Sequence, residues 1–80
     1  MRTKIAKMVD YFEMLYCRWE DEKDYEDFTE YRKASKKRAR ELGYVLKSLT
    51  QRPFAMTFSS EAETVILRAE GGKLYQSIDR

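Results

Sequence analysis

Acidic side chains between residues 20 and 30 are the densest group of potential metal ligands in this chain. The segment holds seven acids and one Lys, a net charge of −6. Carboxylate oxygens are the ligands that Mg²⁺ and Ca²⁺ prefer, but the alternating ligands, central Gly and terminal Glu of an EF-hand loop are missing. We therefore expect a solvated loop and helix start here, and no metal site. The central acids are Glu20, Asp21, Glu22, Asp24, Glu26 and Asp27.

Candidate groups for nucleophilic or acid–base catalysis are few. The chain has no His and one Cys, so it lacks a Ser-His or Cys-His arrangement and a zinc site of the usual ligand types. Its three glycines form no phosphate-binding loop. Cys17 lies at the edge of an apolar stripe, a position typical of a packing residue. We expect no enzyme activity and no cofactor.

Basic side chains follow directly after the acidic segment. Residues 31–52 hold eight bases and one acid, a net charge of +7. On a helix, six of these bases share a sector about 140° wide that extends roughly 22 Å. The six are Arg32, Lys33, Lys36, Lys37, Arg40 and Lys47, and Tyr44 is the aromatic residue on the same side. These seven residues are candidate partner-binding residues.

This basic sector has three interpretations. It can follow the phosphates of a nucleic acid, dock an acidic protein surface, or be a solvated side whose charges match the helix dipole. The acids at the start of the same helix would repel a nucleic acid lying along it. We therefore favour a protein partner, with nucleic-acid binding as the alternative function.

The first helix is predicted from an apolar stripe with alternating spacings of three and four. The stripe consists of Ile5, Met8, Phe12, Leu15 and Trp19, and it predicts a helix over about residues 3–20. Tyr11, Met14 and Cys17 fall outside it. Either the C-terminal segment covers them, or they form an exposed apolar contact surface, in which case Tyr11 and Met14 bind the partner.

A second apolar stripe predicts a helix over about residues 25–50. Its members are Phe28, Tyr31, Ser35, Ala39, Leu42, Val45, Leu46 and Leu49. Asp24, followed by Asp27, is a suitable N-cap, and Pro53 supplies a stop. Gly43 offers an alternative, since a helix that ended at Leu42 would release residues 44–49 as a strand. We prefer the continuous helix because the stripe passes through Gly43 unbroken.

After Pro53 the apolar period changes to two, which predicts a β-meander over about residues 54–78. Gly71 and Gly72 suit a two-residue hairpin turn. The turn would pair Glu70 with Lys73, Ala69 with Leu74, Leu67 with Gln76 and Val65 with Ile78, and would bury Val65, Leu67, Ala69, Leu74 and Ile78. In the alternative, Ser60 and Glu63 form a capping box and residues 61–70 are a short third helix.

The 80 residues predict one domain of the α+β class. Its architecture is an antiparallel helical hairpin packed on a small antiparallel β-sheet, in the order α-α-β-β-β. No segment is apolar enough for a membrane span, and a lone Cys suits the cytoplasm. We expect a small non-enzymatic protein that occupies a surface of a larger macromolecule, of the accessory or inhibitory kind that phages and mobile elements encode. Because so small a core leaves little stability to spare, we expect either a homodimer or a monomer that depends on its partner, and we favour the homodimer slightly.

Overall fold

Two helices followed by a four-stranded sheet make up the computed structural model, which describes residues 3–22 and 28–80. The elements are α1 (Lys4–Glu22), α2 (Phe28–Glu41), β1 (Val45–Gln51), β2 (Phe54–Ser59), β3 (Thr64–Glu70) and β4 (Lys73–Asp79). Neighbouring strands are antiparallel, and their order in the sheet is β1-β2-β3-β4. The predicted α+β class is confirmed, with one strand more than the predicted order contained.

Helix α1 begins where the sequence predicted. The Thr3 side-chain oxygen accepts a hydrogen bond of 3.0 Å from the backbone N–H of Ala6, which is the geometry of an N-cap. Four members of the predicted stripe are buried, and Ile5 packs against them in a partly buried position. The buried four are Met8, Phe12, Leu15 and Trp19. The apolar spacing therefore identified the side of α1 that faces the core.

Helix α2 ends at Glu41, so the prediction of a continuous helix over residues 25–50 is wrong. The N–H of Gly43 bonds the carbonyl of Arg40 at 3.0 Å, and the N–H of Tyr44 bonds the carbonyl of Ala39 at 2.8 Å. Gly43 has a φ of 85°, so the pattern is a Schellman C-cap with Ala39 and Tyr44 as its buried apolar pair. The predicted N-cap, Asp24 with Asp27, lies outside the described residues.

Replacing Gly43 with Ala is expected to lower the free energy of unfolding by about 1–2 kcal/mol, because a Cβ disfavours this left-handed backbone conformation. A Cβ added at Gly43 would come no closer than 3.4 Å to its nearest neighbour, the Nζ of Lys4, so the effect is conformational rather than steric. Gly43→Asn should lose less, since Asn tolerates this conformation better. Urea denaturation measures both variants, and an alanine variant as stable as the wild type would contradict the proposed cap.

The two helices run antiparallel, as their contacts show. The guanidinium of Arg18 lies 5.6 Å from the ring centre of Tyr31, and the hydroxyls of Tyr11 and Ser35 are 3.2 Å apart. Later residues of α1 thus contact earlier residues of α2. Both helices pack on the sheet, α2 on β1 and α1 on β3. The aromatic ring of Phe54 on β2 joins the layers, with the rings of Phe12, Trp19 and Phe28 between 5.4 and 6.4 Å away.

The predicted hairpin at Gly71 and Gly72 is confirmed pair for pair. Glu70 pairs with Lys73, Ala69 with Leu74, Leu67 with Gln76 and Val65 with Ile78. The alternative of a helix over residues 61–70 is therefore wrong. Ser60 makes a local turn instead, in which its side-chain oxygen accepts from the N–H of Ala62 at 3.2 Å.

Strand β4 is more exposed than the sequence predicted. Val65, Leu67 and Ala69 on β3 are buried as expected, but Leu74 is 38% exposed and Ile78 is only partly buried. The reason is the position of the helices, because α1 packs on β3 and leaves gaps between its own side chains and the inward side of β4. The inward side of β4 therefore remains accessible to solvent.

Candidate functional site

Helix α2 presents a cluster of bases that we call the basic face. It consists of Arg32, Lys33, Lys36, Lys37 and Arg40, all of them exposed. The face exists because the buried residues of α2, from Phe28 to Ala39, recur every three or four positions and leave the opposite side to water. From Arg32 to Arg40 it extends about 12 Å at 1.5 Å per residue, roughly half the length predicted for a continuous helix.

Most cations of the basic face form no ion pair with another residue that the structure describes. Lys33 contacts Glu30 at 3.7 Å, but both side chains are about 70% exposed, so this pair contributes little stability. The guanidinium of Arg32 lies 5.3 Å from the ring centre of Phe28. In the described part of the chain, Lys36, Lys37 and Arg40 form no ion pair. These three cations are therefore available to an external anionic group.

An open cleft of about 360 Å³ lies beside the basic face where α2 passes into β1. We call it the basic cleft; its lining residues are Lys36, Arg40, Tyr44, Val45 and Leu46. Val45 is 60% exposed, more than any other large apolar residue in the described part of the chain. The cleft thus places two free cations next to an aliphatic surface.

Tyr44 occupies a different position from the one predicted. Its ring is 6% exposed and packs edge-on against Phe58 with 4.9 Å between centroids. Its hydroxyl donates a hydrogen bond of 3.2 Å to Oε1 of Glu63. Burial, and then the hydrogen bond to this carboxylate, raise the pKa of Tyr44. The ring is a core residue, because the helix that would have exposed it ends three residues earlier, at Glu41.

Lys47 is also displaced from the predicted basic sector. It lies on β1, where the pairing with β2 shifts register between Leu46 and Ser48. Its side chain is exposed, but it belongs to the edge of the sheet rather than to α2. The structure therefore brings together five of the six predicted bases.

Tyr11 and Met14 lie in a groove of about 450 Å³ between α1 and α2. Tyr11 is partly buried and its hydroxyl hydrogen-bonds that of the buried Ser35, so α2 covers it rather than the predicted C-terminal segment. Met14 is 55% exposed, and Cys17 is exposed too. This groove shares no lining residue with the basic cleft, so the two predicted contact surfaces are separate.

Val45 is the site residue that sequence reasoning missed. Its spacing matched the buried stripe of a continuous helix, which predicted a core position. The signal that would have found it is Gly43 followed by the aromatic Tyr44, because this order is typical of a helix end with an apolar residue two positions after the cap. A strand starting at residue 45 follows from that end.

Residues 3–22 and 28–80 were also compared with the geometry of a metal site and of a membrane-spanning helix. Within these ranges there is no cluster of three or more potential metal-ligating side chains. Three of the predicted acids, Asp24, Glu26 and Asp27, lie outside the described residues. Neither of the described helices is long and apolar enough to cross a bilayer.

Comparison with known proteins gives no relative. No protein-family model matches the chain, and neither a curated protein nor a solved structure matches it significantly. The surface chemistry of the chain is therefore the basis for a functional proposal.

Proposed function

We propose that this chain is a non-enzymatic binding protein that acts by occupying an acidic surface of a larger protein. The contact is the basic face together with the basic cleft. One observation carries the proposal: Lys36 and Arg40, whose cations form no ion pair within residues 3–22 and 28–80, border the exposed aliphatic side chain of Val45. Protein contact surfaces combine apolar area with charge in this way, whereas a phosphate backbone offers an aliphatic side chain nothing to bind.

Electrostatic complementarity would serve this role chiefly through the rate of association. The cations on this side of the protein attract an acidic partner over about a Debye length, roughly 8–10 Å at physiological salt. Once the partner is in place, burial of Val45 would slow dissociation. We place the interaction in the cytoplasm because the chain has a single cysteine. The small size is typical of accessory or inhibitory factors of phages and mobile elements, and we propose a role of that kind.

Nucleic-acid binding is the second candidate function, because five exposed Lys and Arg side chains share one side of α2. If a duplex binds there, affinity should fall with salt with a log-log slope near −0.9 for each phosphate neutralised, or about −3.6 for four contacts. The basic face of about 12 Å is short for that task, and the segment before it carries a net charge of −6. These two features favour the protein partner.

A photo-crosslinking residue in place of Val45 tests the proposal in an extract of the cells that make the protein. We expect one protein adduct that persists after nuclease treatment. The matched variant carries the same residue in place of Met14, which is similarly exposed but lies in the separate helix groove. An adduct formed only from position 14, or one that nuclease removes, would contradict the basic cleft as the protein contact.

A further inference from the structure

Strand β4 is an edge of the sheet that no other described strand covers. It pairs with β3 on one side, in a regular register from Lys73 to Asp79 without a bulge. Six of its seven side chains are exposed, and Ile78 is partly buried. The five residues between Lys73 and Asp79 carry no charge, and the strand contains no Pro. Such an edge offers a row of unpaired N–H and C=O groups to another strand.

The opposite edge, β1, has two features that discourage strand addition. Its register shifts between Leu46 and Ser48, and the exposed Lys47 lies at this irregularity. A bulge and an edge lysine are both devices that block further strand pairing. Because β4 lacks the bulge, the two edges of the sheet differ in their capacity to accept a strand.

The turn before β4 determines which of its backbone groups face outward. Gly71 and Gly72 have φ values of 58° and 79°, so the turn has positive φ at both central residues, as a type I′ hairpin requires. In such a two-residue hairpin the flanking residues form a hydrogen-bonded pair, here Glu70 and Lys73. By alternation along the strand, Leu74, Gln76 and Ile78 then direct their N–H and C=O groups to the open side.

The sequence of β4 is complementary to itself in the antiparallel direction. A pairing centred on Gln76 sets Lys73 opposite Asp79 of a second copy, and Leu74 opposite Ile78. Opposite charges meet at both ends, and neither Lys73 nor Asp79 forms an ion pair within the described part of the chain. The apolar pairs lie on the sheet face that packs against the helices, where Leu74 is 38% exposed. About six main-chain hydrogen bonds would form, two for each outward-facing pair.

We propose that β4 is a homodimerisation edge that pairs antiparallel with β4 of a second copy about a two-fold axis through Gln76. The dimer has one continuous sheet with four strands from each copy, and Leu74 and Ile78 extend the core across the interface. The two-fold axis repeats each off-axis pair, so the contacts of Lys73 with Asp79 and of Leu74 with Ile78 each occur twice. The proposal is independent of the basic cleft, which lies beside β1 at the other edge of the sheet.

Sedimentation equilibrium of the full chain tests the proposal. We expect a mass of twice 9.6 kDa at a concentration of about 100 μM, with dissociation on dilution. Gln76→Pro removes the central outward N–H, and Pro is tolerated on an edge strand at such a position. This variant should sediment as a monomer with an unchanged circular dichroism spectrum. A wild-type mass of 9.6 kDa at about 100 μM overturns the proposal, and so does a folded Gln76→Pro variant that still dimerises.

A charge series keeps the test decisive if Gln76→Pro fails to fold. Asp79→Lys sets Lys opposite Lys73 at both ends of the interface and should raise the dissociation constant about tenfold. Adding Lys73→Glu exchanges the two charges and should restore it to within about threefold. Lys37→Glu on α2 is the control, and it should leave dimerisation unchanged. A dimer that is indifferent to Asp79→Lys, or one that the exchanged pair does not restore, overturns the proposed register.

Discussion

Replacing Phe58 with Ala is expected to lower the free energy of unfolding by about 3–5 kcal/mol. Phe58 is 0% exposed on β2, an inner strand of the sheet, and its ring packs against Tyr44. Truncation removes the transfer free energy of the ring and leaves a cavity that this small core cannot refill. A domain of 80 residues has a total stability of roughly 4–12 kcal/mol, so this single truncation removes a large share of it.

Ile66→Ala is the matched control for Phe58. Ile66 lies on β3 of the same sheet, but its side chain is 44% exposed. We expect Ile66→Ala to lower the free energy of unfolding by about 1 kcal/mol or less. Urea denaturation with a constant m value gives both numbers. Equal losses for the two variants would contradict the assignment of the helix-covered face of the sheet as the core.

Replacing Lys36 and Arg40 together with Glu is expected to reduce the association rate with the protein partner by at least about tenfold at low salt. The two substitutions turn the cations of the basic cleft into anions, so an acidic partner meets repulsion where it met attraction. The difference in association rate between the variant and the wild type should shrink as the salt concentration rises. Salt screens both the attraction of the wild type for the partner and the repulsion of the variant. Surface plasmon resonance with the partner recovered by crosslinking measures the rates, and compensating acid-to-base changes on that partner should restore them.

Helix α1 and the β3–β4 hairpin could be predicted from sequence because each depends on local signals. The stripe from Met8 to Trp19 lies within one helix. The pairing of Glu70 with Lys73 follows from two adjacent glycines, which fix the turn type and with it the register. No distant contact is needed to decide either element.

The end of α2 could not be decided from periodicity. Ala39, Leu42, Leu46 and Leu49 fit the spacing of a helix, yet Leu49 reaches the core from a strand. Short apolar runs satisfy both periods, so the local chemistry of the cap decides between them. Gly43 and Tyr44 satisfy the carbonyls of Arg40 and Ala39 and end the helix.

In the candidate site, too, the features set by local sequence signals could be predicted and those that depend on tertiary contacts could not. Five bases on α2 were predicted because they lie on one side of a helix whose other side is buried. The basic cleft was not, because it exists only where the helix stops and Val45 enters the sheet. Likewise, the exposure of Leu74 depends on how far α1 reaches across the sheet, which no local pattern encodes.

The most direct test of the basic cleft is retention of a partner from nuclease-treated extract by the immobilised chain. Three forms are compared: the wild type, the double variant Lys36→Glu with Arg40→Glu, and a control with Lys4→Glu and Lys7→Glu. The control changes the net charge equally, at two exposed positions on α1. We predict that the wild type and the control retain the same protein, and that the Lys36 and Arg40 variant loses it while remaining folded. Equal retention by all three forms, or loss from both double variants, would contradict the account.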